Sequence, residues 1–525
     1  MDNSSLANRQ IAKAASTVMV AFIFSQLTGL IRRILVAQVF GAFENLDAFI
    51  AANRVSETLF NLIAGGVLGS AFIPTFTSLL VKNEKESAWK LASAIANLVF
   101  ITLGLLGILA SIFAPEIVRY ALAPGLADDP HLYQLTVNLL RIQLISAVIF
   151  GLSGLVMGIL NSHQVFLIPA LTPAMYQLGM IFGVLVLSPH MGIYGLAWGV
   201  VIGSFLHLAL QLPSLFQQKG KYSLIFGIHN TQVSEVMRLM VPRLFGVAVV
   251  QLNFWVNSWL ASQMSRGSLV GIDFGFSLML MAQVVIAQSV ATAMMPTLAS
   301  QYALGKMDEV RSSLSATLRG VLFLAVPASI GIIILRQPII AFLYQRGNFD
   351  AHSTDLVAWA LLWYGAGLVG HCLLEILARA FYALHDTKTP VLVGIGAMGI
   401  NVLLSFAFSA LFARLGWMPH GGLALANSTA TLFEVIILLF IVGRRLKGMP
   451  YRAIVTGLFH AIIASLSMGL VVFSWNRLLV DHPFWVITLG GLFTGGVVYF
   501  ISIWVLKVPE IRSIPVFIKT TLHWK

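Results

Sequence analysis

Long apolar runs of about 20 to 30 residues, separated by short polar gaps, follow one another along this chain. A helix needs ~20 apolar residues to cross the hydrocarbon of a bilayer, so each run predicts a membrane-spanning helix. The runs fall near residues 14–40, 48–80, 88–113, 134–160, 168–187, 192–216, 234–262, 271–303, 312–335, 355–382, 390–413, 421–445, 453–476 and 484–507. They predict an all-α polytopic membrane protein with 14 transmembrane helices. The gaps are too short for a soluble domain. The first run carries paired arginines and no small-residue cleavage site, which marks a permanent helix and not a signal peptide.

Charge adds the orientation. With the N-terminus placed in the cytoplasm, 21 of the 32 Lys and Arg residues fall in tails and loops on that side. Only Arg119, Arg266, Arg336, Arg346, Arg414 and Arg477 fall opposite. Basic loops stay inside, so both termini are predicted cytoplasmic, the 380–390 loop inside and the 114–131 segment outside. The same asymmetry explains most of the net charge of +12 and removes nucleic acid as a partner. Hydrophobic residues make up 58% of the chain and charged ones 10%, far from a soluble composition. The single cysteine, Cys372, lies within a span and excludes an intrachain disulfide or a cysteine metal cluster.

Apart from the basic residues at the cytoplasmic ends of spans, counted above with the loops, five arginines fall inside spans: Arg32, Arg33, Arg54, Arg141 and Arg379. A charge at mid-bilayer needs a partner or an aqueous cavity. Arg54 has Glu57 three residues on, and Arg379 has Glu375 four residues back, both neighbours on a helix. Arg32 and Arg33 have Asp47 as a candidate partner on the second span, but two adjacent arginines exceed the nearby acids. That excess favours an anionic ligand, and a guanidinium fork suits a pyrophosphate.

The chain also repeats. Ile73-Pro74-Thr75 falls on Met295-Pro296-Thr297, Ser93-Ala94 on Ser315-Ala316 and Gly125 on Gly347, all at an offset of 222. Pro169 falls on Pro390, and Gly195-Leu196-Ala197 on Gly422-Leu423-Ala424, at slightly different offsets. Spans 1–6 therefore correspond to spans 7–12, which divides the chain into 1–216, 217–452 and an appended 453–525. An even number of spans per repeat predicts two lobes related by a pseudo-two-fold axis along the membrane normal, an arrangement suited to alternating access. No Walker-type loop is present, and the histidines lack metal-ligand spacing. Neither ATP hydrolysis nor enzymatic catalysis is expected.

Several local stretches resemble the MurJ (MviN) lipid II flippases of the multidrug/oligosaccharidyl-lipid/polysaccharide exporter superfamily. They are Gly29 with Arg32, Phe40-Gly41, Asp47-Ala48-Phe49, Ala71-Phe72 with Pro74, Gly158-Ile159-Leu160-Asn161 and, most specific, AFYALHDTKTP at 380–390. The resemblance implies export of an undecaprenyl-linked peptidoglycan precursor across the cytoplasmic membrane, with Arg32, Arg33, Arg54, Ser25, Gln26 and Asp47 around the substrate. The other expected partners are membrane lipids, and the expected state is a monomer. The chain departs from the family at several positions: Ser25-Gln26 stands for a serine-arginine pair, Phe60 or Asn61 and Ser277 for arginines, and Gly65 for a glutamate.

The resemblance also suggests a coupling cation held by Asn257, Asn401, Ser405 and Thr429. This set has no carboxylate to compensate a dehydrated sodium, so interhelical hydrogen bonding is favoured for it. Asp273 is the better candidate for a protonatable coupling group, with membrane potential as the remaining drive; no other cofactor is expected. Two other functions stay open, namely a flippase for another polyprenyl-linked oligosaccharide and a drug or cation antiporter.

Overall fold

The computed structural model describes residues 3–63, 69–227 and 230–506. Among these residues the regular structure is helical, with no strand. Gly65, where the resemblance places a glutamate, and the basic residues Lys507, Arg512, Lys519 and Lys525 lie outside them. Twelve of the described helices are long and apolar enough to cross a membrane. The second expected span appears as α2 (Glu44–Ile63) and α3 (Gly69–Val81), and the seventh as α8 (Thr231–Ser262). Neither is among the twelve; α2 carries Glu44, Asp47, Arg54 and Glu57.

The chain forms two compact units, Met1–Gly267 with Arg346–Phe349, and Ser268–Gln345 with Asp350–Lys525. In the first, α5 (Pro130–Ser162) is central and packs against α2, α4 (Lys85–Ile112) and α7 (Ile193–Ala209). Helix α1 (Asn3–Phe40) lies on α6 (Leu167–Phe182). Helices α6 and α7 meet backbone to backbone: a Cβ on Gly179 would collide with Gly203, and one on Gly183 would lie 2.6 Å from the Gly195 carbonyl. Small residues four apart permit this approach in membranes, where dispersion replaces the hydrophobic effect. Helix α8, which the repeat assigns to the second lobe, packs with this unit through contacts to α2 and α3.

In the second unit α11 (Ala351–Ala383) is central, against α9 (Ser268–Gln283), α10 (Met307–Tyr344) and α13 (His420–Arg445). Helix α12 (Lys388–Arg414) covers α13, while α14 (Tyr451–Leu478) and α15 (Phe484–Val505) flank α10. The central helices α5 and α11 are the fourth and tenth spans, equivalent in the repeat.

The repeat has a physical meaning at these helix starts. The Asp129 carboxylate accepts from the backbone N–H of His131 and Leu132 at the start of α5, and Asp350 accepts from Ser353 at the start of α11. Such caps satisfy N–H groups that a helix leaves without partners. A few residues earlier stand Gly125 and Gly347. A Cβ on Gly125 would strike the Ser262 carbonyl at the end of α8, and one on Gly347 would strike the Gln38 carbonyl near the end of α1. Asn348 completes the second contact by donating its backbone N–H to Gln38 (2.9 Å) and its amide to Val39 (2.6 Å). Equivalent loops thus grip the ends of equivalent helices, the first and seventh spans.

Candidate functional site

Arg32 and Arg33 lie in the last third of α1, both half-buried. One turn before them Gly29 gives α1 room against the Gln177 amide of α6, 3.5 Å from where a Cβ would stand. Arg32 and Glu57 are both within electrostatic reach of the neighbouring Tyr176 hydroxyl. Ser25 is buried and its carbonyl accepts from Thr28 (2.9 Å), whereas Gln26 is exposed.

On α2 the expected Arg54–Glu57 pair is formed at 3.0 Å, and Asn53 donates to the other Glu57 oxygen at 2.8 Å. The Arg54 guanidinium also sits 5.1 Å from the centre of the Phe254 ring of α8, a cation–π contact. One turn on, Thr58 accepts from the Trp255 indole (2.8 Å) and donates to Gln251 (3.4 Å). These contacts explain why α8 stays with this unit. Phe60, where the resemblance places an arginine or its neighbour, has its ring tilted at 52° to that of Phe150, 5.0 Å away, which continues to Tyr176 and His207.

Asp47 is buried, and its carboxylate accepts from the Gly267 N–H at 2.5 Å. Beside it Arg266 bridges Glu44 (3.1 Å) and Asp129 (3.2 Å), on the edge of a cavity of about 510 Å³ lined also by Gly125, Asp128 and Ser262. The Leu132 and His131 N–H groups, with Arg266, hold the Asp129 carboxyl below the usual carboxylate range. This cluster ties the turn after α8 to α2 and α5.

The candidate cation ligands belong to different units: Asn257 is a buried residue of α8, and the rest lie on α12 and α13. Asn401 and Ser405 are both buried, and the Ser405 hydroxyl donates to the Asn401 amide oxygen at 3.2 Å. Thr429 donates to the Leu425 carbonyl of its own helix (2.8 Å). Asp273 is half-buried on α9, where its carbonyl accepts from Ser277 (2.7 Å). Among the described residues no group of three or more His, Cys, Asp or Glu side chains is placed to hold a metal ion.

The HDTKTP stretch is a joint. His385 takes a positive φ of 57°, and Asp386 accepts from the N–H (3.0 Å) and hydroxyl (2.7 Å) of Thr389 at the start of α12. Arg445 at the end of α13 pairs with Asp386 and donates to the Leu384 carbonyl (3.1 Å). Partial burial pushes the Asp386 carboxyl up, but the two Thr389 bonds and Arg445 outweigh it and hold the group below its ordinary range.

A groove of about 660 Å³ runs between α10 and the α14–α15 pair, walled by apolar side chains such as Phe323, Leu335, Met468 and Phe500 and by glycines. Gly331 and Gly496 face open space. Sequence reading missed a different feature. Glu434 sits at mid-length in α13, only 7% exposed. Its signal was available: it is the only acidic residue between His420 and Arg445. Buried histidines, which lack metal-ligand spacing in the sequence, form hydrogen bonds within the bundle. His207 meets Ser153 (2.6 Å), which Gln211 also contacts (2.6 Å), and His371 meets Asn427 (3.0 Å).

Residues 36–491 match the protein family described as "Lipid II flippase MurJ". The chain is 31% identical over 445 residues to the "Lipid II flippase MurJ" of Burkholderia cenocepacia, covering 83% of this chain and 84% of that one. It is 28% identical over 470 residues to the "Probable lipid II flippase MurJ" of Vibrio cholerae, covering 87% of each. The fold matches a solved structure described as "Lipid II flippase MurJ, inward closed conformation" with a TM-score of 0.80 and 27% identity, over 94% of this chain and 99% of that one. An inward-facing multidrug resistance MATE transporter matches in fold, with a TM-score of 0.69 at 15% identity, over 82% and 98% of the two chains.

Proposed function

Because the chain belongs to the lipid II flippase MurJ family, we propose that it moves undecaprenyl-pyrophosphate-linked peptidoglycan precursor from the inner to the outer leaflet of the bacterial cytoplasmic membrane by alternating access. The carrying observation in the molecule is the apolar groove of α10, α14 and α15. A polyprenyl tail requires a long apolar surface, and a small soluble drug does not. Arg32 and Arg33 take the pyrophosphate, since each guanidinium offers paired donors to phosphate oxygens. Arg54 is neutralised by Glu57 and supports α2 against α8, with Ser25 and Gln26 at the approach. Asp47 holds the turn at Gly267. The chain crosses the membrane fourteen times and acts as a monomer; the 21-to-6 distribution of basic residues supports cytoplasmic placement of both termini.

Coupling does not use Asn257, Asn401, Ser405 and Thr429 as a sodium site: Asn401 and Ser405 bond to each other and Thr429 bonds to its own helix. Transport should therefore survive replacement of sodium by potassium. Depletion of the protein in its host tests the substrate. Lipid II should accumulate in the inner leaflet, and accumulation of a different polyprenyl-linked oligosaccharide would reassign it.

A further inference from the structure

Glu434 has no evident structural use. It lies inside a helix that crosses the membrane, 7% exposed, with one carboxylate oxygen 3.2 Å from the point where Gly394 of α12 would carry a Cβ. Gly394 leaves the slot that the carboxylate occupies. No described residue gives Glu434 a hydrogen bond or a cationic partner. A buried carboxylate without either is strongly disfavoured in its ionised form, and a group that makes no bond adds nothing to folding that an aliphatic side chain would not supply.

The surroundings offer no counter-ion. Helices α9, α11 and α12 pack against α13. Helix α12 carries no titratable group between Lys388 and Arg414. On α11, Arg379 is committed to Glu375 at 2.8 Å, Cys372 is buried, and His371 bonds Asn427 and lies 3.5 Å from Thr431, one turn before Glu434. On α9 the only titratable residue is Asp273, and on α13 itself the others are His420 and the terminal Arg444 and Arg445. A metal cation would need several converging oxygens. Farther along α12 the Ser405 hydroxyl donates to the Asn401 amide oxygen.

We infer that Glu434 is the proton-carrying group of the second unit, neutral while α12 covers it at Gly394 and releasing its proton to water when that cover opens. The proton enters from the aqueous phase on one side and leaves to the aqueous phase on the other, so no further reactant is needed. Coupling of this site to transport rests on the flippase reading; the occupancy of the site by a proton does not.

The test uses the full chain in proteoliposomes and dicyclohexylcarbodiimide, an apolar reagent that adds to protonated carboxyls buried in membranes. Peptide mass spectrometry should find the adduct on Glu434, at least tenfold weaker at about pH 9 than at about pH 6, and absent in Glu434→Gln. Flipping by Glu434→Gln should lose the pH response of the parent, and Glu434→Leu should do the same with normal insertion. Labelling that is absent at every pH would overturn the proposal, as would protection by sodium at fixed pH or a variant that keeps the parental pH response. A parent that flips nothing would sink the flippase reading, while the labelling would still decide the proton site.

Discussion

In the first unit the carboxylates of α2, the buried Asp47 included, are hydrogen-bonded or ion-paired, whereas the second buries Glu434 with neither kind of partner and presents an apolar groove. Arg54 is satisfied by Glu57 and Phe254, and the Asp129–Arg266–Glu44 chain is bridged at 3.1 and 3.2 Å. Glu434 has no such partner, and the groove of α10, α14 and α15 is lined almost wholly by carbon. The two units thus differ in chemistry. Charge-assisted recognition suits a headgroup and apolar burial suits a tail, which is the division of the lipid that the proposed function requires.

The contrast breaks most readily at Arg32 and Arg33. A hydrogen bond to a charged group contributes about 1.5–3 kcal/mol, so Arg32→Ala with Arg33→Ala should lower flipping by about 10²- to 10⁴-fold with normal expression and insertion. Full activity in the double variant would remove the pyrophosphate contact, and misfolding would make the pair structural. Next in size are the two equivalent glycines. Gly125→Val and Gly347→Val each drive a side chain into a backbone carbonyl, and overpacking costs about 1–3 kcal/mol or more. Both should lower the apparent melting temperature, and a neutral result at either would mean that its loop is not held as described.

The groove can be narrowed without a clash, because a Cβ on Gly496 meets nothing within 4 Å. Gly496→Leu should weaken transport of a long-chain substrate by roughly tenfold, about 1.4 kcal/mol, and leave a short-chain analogue unaffected. Equal loss for both chain lengths would take the tail out of the groove. The smallest effect is expected at the α11–α12 joint. The Asp386 carboxyl is held below its ordinary range, so its contribution is complete above about pH 4 and is lost as the pH falls through the lowered value. Asp386→Asn should remove that acid sensitivity and cost no more than about 1 kcal/mol, read as a shift in thermal unfolding between about pH 5 and about pH 3.

Much of this architecture is legible in the sequence, for definable reasons. Apolar runs report burial in lipid directly, and the offset of 222 marked Gly125 and Gly347 before their shared use was visible. The Arg54–Glu57 and Arg379–Glu375 pairs follow from helical spacing alone. What stayed hidden depends on partners far away in sequence. The Asp47 carboxylate takes a backbone N–H 220 residues on, a partner that helical spacing does not reveal. Helix α8 joins the first unit through Thr58, Gln251 and Trp255, side chains that no periodicity singles out. Glu434 was overlooked because one acid barely changes the hydropathy of a 26-residue apolar helix.

The assignment of the two lipid ends is tested most directly by photo-crosslinking with two lipid II analogues, one carrying its reactive group beside the pyrophosphate and the other at the end of the polyprenyl tail. The first should label α1 around Arg32 and Arg33 and lose that labelling in the double alanine variant, while the second labels groove residues such as Leu492 and Phe500. Tail labelling on α1 or α2, or headgroup labelling that persists unchanged without the two arginines, would contradict the account.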